Sequence, residues 1–363
     1  MDAAAPHVFA IPPASVHRPT TGREDTITLA AGVWLLVGTY VDGWAHNNLR
    51  GLETFFTPWH AVLYSGFAAC AAWIAALTWR RHAPGMRWRE AVPAGYGGAA
   101  AGVVLFLASG AGDLAWHTVF GIEQNISALF SPSHLGLATG GFLILGAPFS
   151  AAWHSPVRLW PRLVPAVASA VLAGMVAAFI LQEFAVFARH GLIQTYATGA
   201  GAHPAVTVPT SSSILVSLAS FLVSTLALFV PVLLLSLRWR LHPAVPAAMA
   251  LIPSAALQVM VALRDAWLVP VALAGSILVA AVWAVVRPAP GHPARLMTAA
   301  ALCPVVFWGP YFAGVALHDG ALSFSPEVWT GTLVWTGLAM LGIAALTLKV
   351  WGGASAASTP GPR

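Results

Sequence analysis

The chain has 363 residues, 58% of them hydrophobic and only 8% charged, with a formal net charge of +5. A soluble globular domain carries about 25% charged residues, so this composition excludes one and points to an all-α, polytopic integral membrane helix bundle. In such a chain Lys and Arg report orientation rather than nucleic-acid binding, and two cysteines far apart in apolar runs, Cys70 and Cys303, argue against a disulfide framework.

Residues 1–25 are polar and Pro-containing, lack the apolar core of a signal peptide, and read as a cytoplasmic tail. A spanning helix needs about 20 predominantly apolar residues. About ten stretches qualify, near 26–46, 58–79, 91–117, 133–153, 163–187, 212–237, 243–262, 267–286, 297–317 and 328–350. A tight turn around Arg264 and Asp265 divides one long apolar run into two of these. Residues 26–153 are then a four-helix half, residues 154–350 six further helices, and residues 351–363, rich in Ala, Ser, Gly and Pro, a disordered tail. With the N-terminus cytoplasmic, all of the 17 Lys and Arg except Arg50, Arg189 and Arg264 fall inside. That is a strong positive-inside bias. It predicts a multi-pass protein of the plasma membrane with both termini cytoplasmic.

The same orientation gathers acids and histidines on the extracytoplasmic side. Asp42 and His46, four residues apart near the outer end of the first span, share a helical face. His60 opens the returning helix, and a short hairpin brings it to the same centre. Asp113, His117 and His134 repeat this arrangement on the third and fourth spans. One carboxylate and two imidazoles suit copper, iron or zinc, and the residues alone leave one or two ions open. Glu53, in the first connecting loop, is a candidate for a further ligand, an acceptor for an imidazole N–H, or a proton carrier, and Glu123, in the second, is a candidate proton carrier. Ionisable residues in a membrane are costly and point to function.

Helix starts reinforce the pattern. Phe56-Thr57-Pro58, Phe130-Ser131-Pro132 and Phe324-Ser325-Pro326 each combine an N-cap hydroxyl with a Pro at the first helical position. The first two set His60 and His134 at the third helical position, whereas the last sets Val328 there. A hairpin unit used twice with its polar set intact, and once in degenerate form beside His318, Asp319 and Glu327, is the expected organisation.

At these residues the chain resembles the C subunit of the copper membrane monooxygenases, the particulate methane and ammonia monooxygenases. One motif of that family has Asp-x3-His, an Arg–acid stretch, and Thr-Pro-Ser-His running into an apolar helix with a Tyr. Asp42, His46, Arg50, Glu53, Thr57-Pro58-Trp59-His60 and the following "AVLYSGF" keep that order. The second family motif has Asn, then Trp-Gly-His, a Glu, and a Pro-x-His opening the next helix. Asp113, Trp116, His117, Glu123 and Pro132-Ser133-His134 match it in order, with Asp in place of Asn, which makes the second site more anionic. The match covers roughly residues 40–150. It implies that Asp42, His46 and His60 hold one copper ion, and that Asp113, His117 and His134 stand at a second, neighbouring site.

The expected activity is oxidation of a small apolar substrate by O2 at the outer leaflet, with a quinol-type electron donor and with partner subunits or a homo-oligomer as further associations. Glu53 or Glu123 would move protons. The residues also leave open a non-catalytic copper transporter or assembly factor, and a zinc-dependent membrane hydrolase. Few polar residues deep in the spans argue against a through-membrane ion path.

Overall fold

The computed structural model describes residues 18–49, 55–121, 129–155, 163–188, 211–320, 322 and 324–357. Every regular element in them is helical: α1 (Gly22–Asn48), α2 (Pro58–Trp79), α3 (Trp88–Ala91), α4 (Gly97–Phe120), α5 (Pro132–Leu145), α6 (Ala147–His154), α7 (Val164–Ile180), a 3-10 turn (Gln182–Phe184), α8 (Ser211–Arg238), α9 (Ala244–Met260), α10 (Leu268–Val286), α11 (Pro293–Asp319) and α12 (Pro326–Ala357).

Among the described residues, seven helices are long and apolar enough to cross a membrane, and α5 with α6, bent by 45°, makes an eighth if counted as one span. Pro148, in the first turn of α6, lacks the N–H that would continue the α5 ladder across this bend. The other two expected spans correspond to α7 and α9, with 17 residues each. At about 1.5 Å per residue these are roughly 26 Å long, short of the ~30 Å hydrocarbon core. The break between α9 and α10 falls at the expected turn, where Ala262 and Leu263 adopt positive φ of 52° and 58°. The last helix continues to Ala357, beyond the 350 boundary expected from the sequence.

The chain divides into two compact units. One comprises, of the described residues, 18–49, 55–121, 129–155, 163–180 and 259–264, and so contains α1 to α7. It extends past the expected boundary at 153 because α7 packs on its neighbours. Ser169 donates to the Leu145 carbonyl at 2.5 Å, and Tyr40 donates to the Met175 carbonyl at 3.0 Å.

Within this unit α1 pairs with α2, and α4 with α5, through glycines that allow backbone contact. A Cβ on Gly66 would lie 2.7 Å from the Leu35 Cα, and one on Gly140 would lie 2.8 Å from the Gly102 carbonyl oxygen. At the end where α1 starts, the fold is tied by satisfied polar contacts. Thr21 and Glu24 form a capping box on α1, Glu24 also takes Arg81 at 2.8 Å, and Tyr96 donates to Asp25 at 2.8 Å. The opposite end carries the site.

The other unit contains, of the described residues, 181–188, 211–258, 265–320, 322 and 324–357. Its core is aromatic: Phe187, Phe221, Phe307, Trp308, Tyr311 and Phe312 pack ring against ring, and Trp308 donates to Thr225 at 2.8 Å. His318 stacks on Trp267 and pairs with Asp319 at 2.8 Å.

Candidate metal centre

The local sequence builds the site from helix ends. Thr57 caps α2, its hydroxyl accepting the His60 N–H at 3.2 Å, and Pro58 opens the helix. Ser131 caps α5 in the same way, accepting the His134 N–H at 3.3 Å, with Pro132 next. Each cap fixes its histidine in the first helical turn. There it faces the last turns of the preceding long helix, where Asp42 and His46, or Asp113 and His117, project from one side.

Two groups result, Asp42–His46–His60 and Asp113–His117–His134, and within each group the ligand atoms lie within 4.8 Å of one another. In the first, the Asp42 Oδ2 is 3.8 Å from the His46 Nε2, and the Asp42 Oδ1 is 3.5 Å from the His60 Nε2. In the second, a single oxygen, the Asp113 Oδ1, is 3.5 Å from the His117 Nε2 and 3.4 Å from the His134 Nε2. The two groups adjoin. Ring centroids are 5.8 Å apart for His46–His60, 6.3 Å for His60–His117, 5.7 Å for His117–His134 and 6.4 Å for His134–His46. The four imidazoles close a ring.

The outer nitrogens decide which way each imidazole faces. The His60 Nδ1 lies 2.6 Å from the Phe55 carbonyl oxygen, and the His117 Nδ1 lies 3.3 Å from that of Gly121. A carbonyl only accepts, so both Nδ1 atoms carry the proton, and in a neutral ring Nε2 is left as a lone pair. For His134 the reasoning runs through two serines. Ser133 donates to the Asp113 Oδ1 at 2.9 Å, so its proton is committed. The 3.1 Å contact between Ser131 and Ser133 then takes its proton from Ser131. Ser131 therefore accepts from the His134 Nδ1 at 2.7 Å. Three imidazoles thus aim Nε2 lone pairs at carboxylate oxygens.

That arrangement fits a cation. A charge-assisted N–H···O bond is about 2.7–2.9 Å long, shorter than the 3.4–3.8 Å seen here. Two ligands bonded at about 2.1 Å to a tetrahedral ion stand roughly 3.4 Å apart, which matches. Asp42, His60, Asp113 and His117 are buried, and among the described residues the Asp42 Oδ1 and the Asp113 Oδ2 are buried without a hydrogen-bond partner. Burying a carboxylate without compensating charge costs several kcal/mol, and a metal ion held here would supply that charge. The donor set of imidazole and carboxylate, with no thiolate, suits copper, iron or zinc.

All six expected ligands are brought together. Glu53 and Glu123 lie outside the described residues, and His318 with Asp319 is not part of either group. Sequence reasoning missed Phe55, whose ring stacks on His60 at 4.7 Å and whose carbonyl orients it. It also missed the second use of Ser131 and the contact of Ser133 with Asp113; the signal was the pair of hydroxyls flanking Pro132 just before His134. Tyr64, one turn beyond His60, stands 6.0 Å from that ring, with a buried hydroxyl that has no hydrogen-bond partner among the described residues. Trp44 packs edge-on against Trp59 at 5.9 Å.

Comparison of the chain with protein-family models, with curated proteins and with solved structures finds no match.

Proposed function

We propose that this multi-pass membrane protein is a metal-dependent oxidoreductase of monooxygenase type, with copper as the metal, acting on a small apolar substrate at the extracytoplasmic face. One observation carries the reading: two buried Asp–His–His groups, each with Nε2–carboxylate separations of 3.4–3.8 Å, share a closed ring of imidazoles. Asp42, His46 and His60 would hold one ion, and Asp113, His117 and His134 a second. Bound copper supplies the redox chemistry by which dioxygen is reduced.

The residues supply binding and orientation. Carbonyl and hydroxyl partners hold Nδ1 and present Nε2, while Phe55 covers His60. At the same end of the unit Phe56, Val119, Phe120 and Phe130 are exposed, an apolar rim suited to a substrate arriving from lipid. The overall reaction balances with a quinol as reductant. One oxygen atom enters the substrate and the other leaves as water, while the quinol contributes two electrons and two protons. Glu53 and Glu123 are proposed as proton carriers. The reading also takes up the ten-span map, with the plasma membrane and a cytoplasmic N-terminus, which puts the site outside. The resemblance to the C subunit of the copper membrane monooxygenases supports the choice of metal and reaction class.

The test is metal analysis of detergent-purified protein alongside His60→Ala and His134→Ala, followed by oxygen uptake on adding a quinol and short hydrocarbons. Two equivalents of copper in the wild type, one in each variant, and substrate-dependent uptake are expected. Copper without oxygen uptake would favour a copper carrier or assembly factor. Stoichiometric zinc unchanged in both variants would overturn the reading.

A further inference from the structure

The two groups match in residue type but not in support. In the second, Ser133 donates to the Asp113 Oδ1, and that one oxygen faces both imidazoles. The carboxylate is thereby aimed before any ion arrives. The same hydroxyl chain continues through Ser131 to the His134 Nδ1, so the acid and one imidazole are held by a single run of hydrogen bonds. In the first group the position matching Ser133 is Trp59, which packs on Trp44. Asp42 receives no hydroxyl there. Each carboxylate has one oxygen without a hydrogen-bond partner among the described residues, but the two oxygens of Asp42 split between His60 and His46, the latter at 3.8 Å. The carboxylates differ in burial in the same direction, with the Asp113 side chain 1% exposed against 12% for Asp42, although His134, at 18%, is more exposed than His46, at 14%.

Resting on the reading of both groups as metal positions, we propose that they are inequivalent: Asp113–His117–His134 is the tight position that fills first, Asp42–His46–His60 is the exchangeable one, and Ser133 is the positioning residue that sets the order. Partners outside the ligand shell orient the donors, and their removal typically costs about 10–100-fold in metal affinity. A dry carboxylate also attracts a cation more strongly than a wetted one. The position at Asp42, with the less supported and more exposed carboxylate, would then be the one that an incoming ligand reaches.

The full-length protein in detergent is stripped with a chelator and loaded from a chelator-buffered Cu2+ series. Occupancy is read by metal analysis and by the copper paramagnetic resonance spectrum. The wild type is expected to fill in two steps with distinct spectra. His134→Ala should abolish the tighter step and His46→Ala the weaker. Ser133→Ala should weaken the tighter step about 10–100-fold and merge the two, while Ser133→Thr, which keeps the hydroxyl, should restore the separation. Melting curves of the stripped variants check that each remains folded. A tight step that survives His134→Ala and disappears in His46→Ala overturns the order. Two steps unmoved by Ser133→Ala overturn the role of Ser133. Wild-type protein that takes up no copper overturns the metal reading itself, and is told apart because it needs no variant.

Discussion

The Nδ1 of His60 lies 2.6 Å from the carbonyl oxygen of Phe55, so a backbone atom on one side of the ring dictates what the other side offers to Asp42. The proton stays on Nδ1, and Nε2 faces the carboxylate from 3.5 Å as a donor for a cation. The same logic, through carbonyl or hydroxyl, holds at His117 and His134.

Metal removal is therefore expected to destabilise the protein. Ligand that binds only the folded state at 100 times its Kd contributes about 2.7 kcal/mol. Thermal melts of copper-loaded and chelator-stripped protein should differ accordingly, and Asp42→Asn with Asp113→Asn should abolish the difference. An equal response of wild type and double variant to the chelator would contradict this.

The stripped protein should respond to the same double substitution in the opposite sense. Two buried carboxylates without an ion carry uncompensated charge, and replacing them by neutral amides relieves it. A stripped Asp42→Asn/Asp113→Asn protein is expected to melt higher than stripped wild type, by scanning calorimetry or intrinsic fluorescence.

Thr57 and Ser131 cap matching helices but differ in a second duty. Loss of either cap costs about 1 kcal/mol of stability. Thr57→Ala should show that cost alone, since its hydroxyl serves the His60 N–H. Ser131→Ala should also lower copper affinity, because its hydroxyl holds the His134 Nδ1. Parallel melts and metal loading of the two variants separate the effects.

Gly140→Ala tests the helix contact that brings the second group together. The added Cβ would lie 2.8 Å from the Gly102 carbonyl oxygen and 2.9 Å from the Phe106 N. Both are atoms of the neighbouring helix, so α4 and α5 must separate. Overpacking of this kind costs about 1–3 kcal/mol, and the expected result is a lower melting temperature together with weakened copper loading. Gly112→Ala, whose Cβ meets nothing within 4 Å, is the control expected to retain both.

Tyr64→Phe removes a buried hydroxyl that has no hydrogen-bond partner among the described residues. An unsatisfied buried polar group costs about 1–3 kcal/mol, so the variant should be at least as stable as wild type and keep its copper. Copper lost on this substitution would make Tyr64 a ligand.

Much of the site was legible in the chain. Asp-x3-His is a one-face spacing on a helix, and a hydroxyl followed by Pro and, one residue on, His marks a helix start with its imidazole in the first turn. Those local rules located Asp42, His46, His60, Asp113, His117 and His134. The low charge content and the apolar runs likewise settled the all-helical membrane character. The bend between α5 and α6 and the short α7 and α9 were less legible, because apolar runs show neither where a helix bends nor where its last turn ends.

The sequence by itself thus determined the helical membrane class of the protein and the two Asp–His–His triplets that the fold gathers, because both follow from periodicity within a helix and from the chemistry of helix ends. Only the tertiary structure decided that the triplets adjoin as one ring of imidazoles, that Phe55 orients His60, and that Ser133 supports Asp113 while among the described residues no hydroxyl does the same for Asp42. Those relations lie across helices and loops. The Ser133–Asp113 contact, for one, depends on how closely backbones approach at Gly140, a three-dimensional distance that no spacing along the chain encodes.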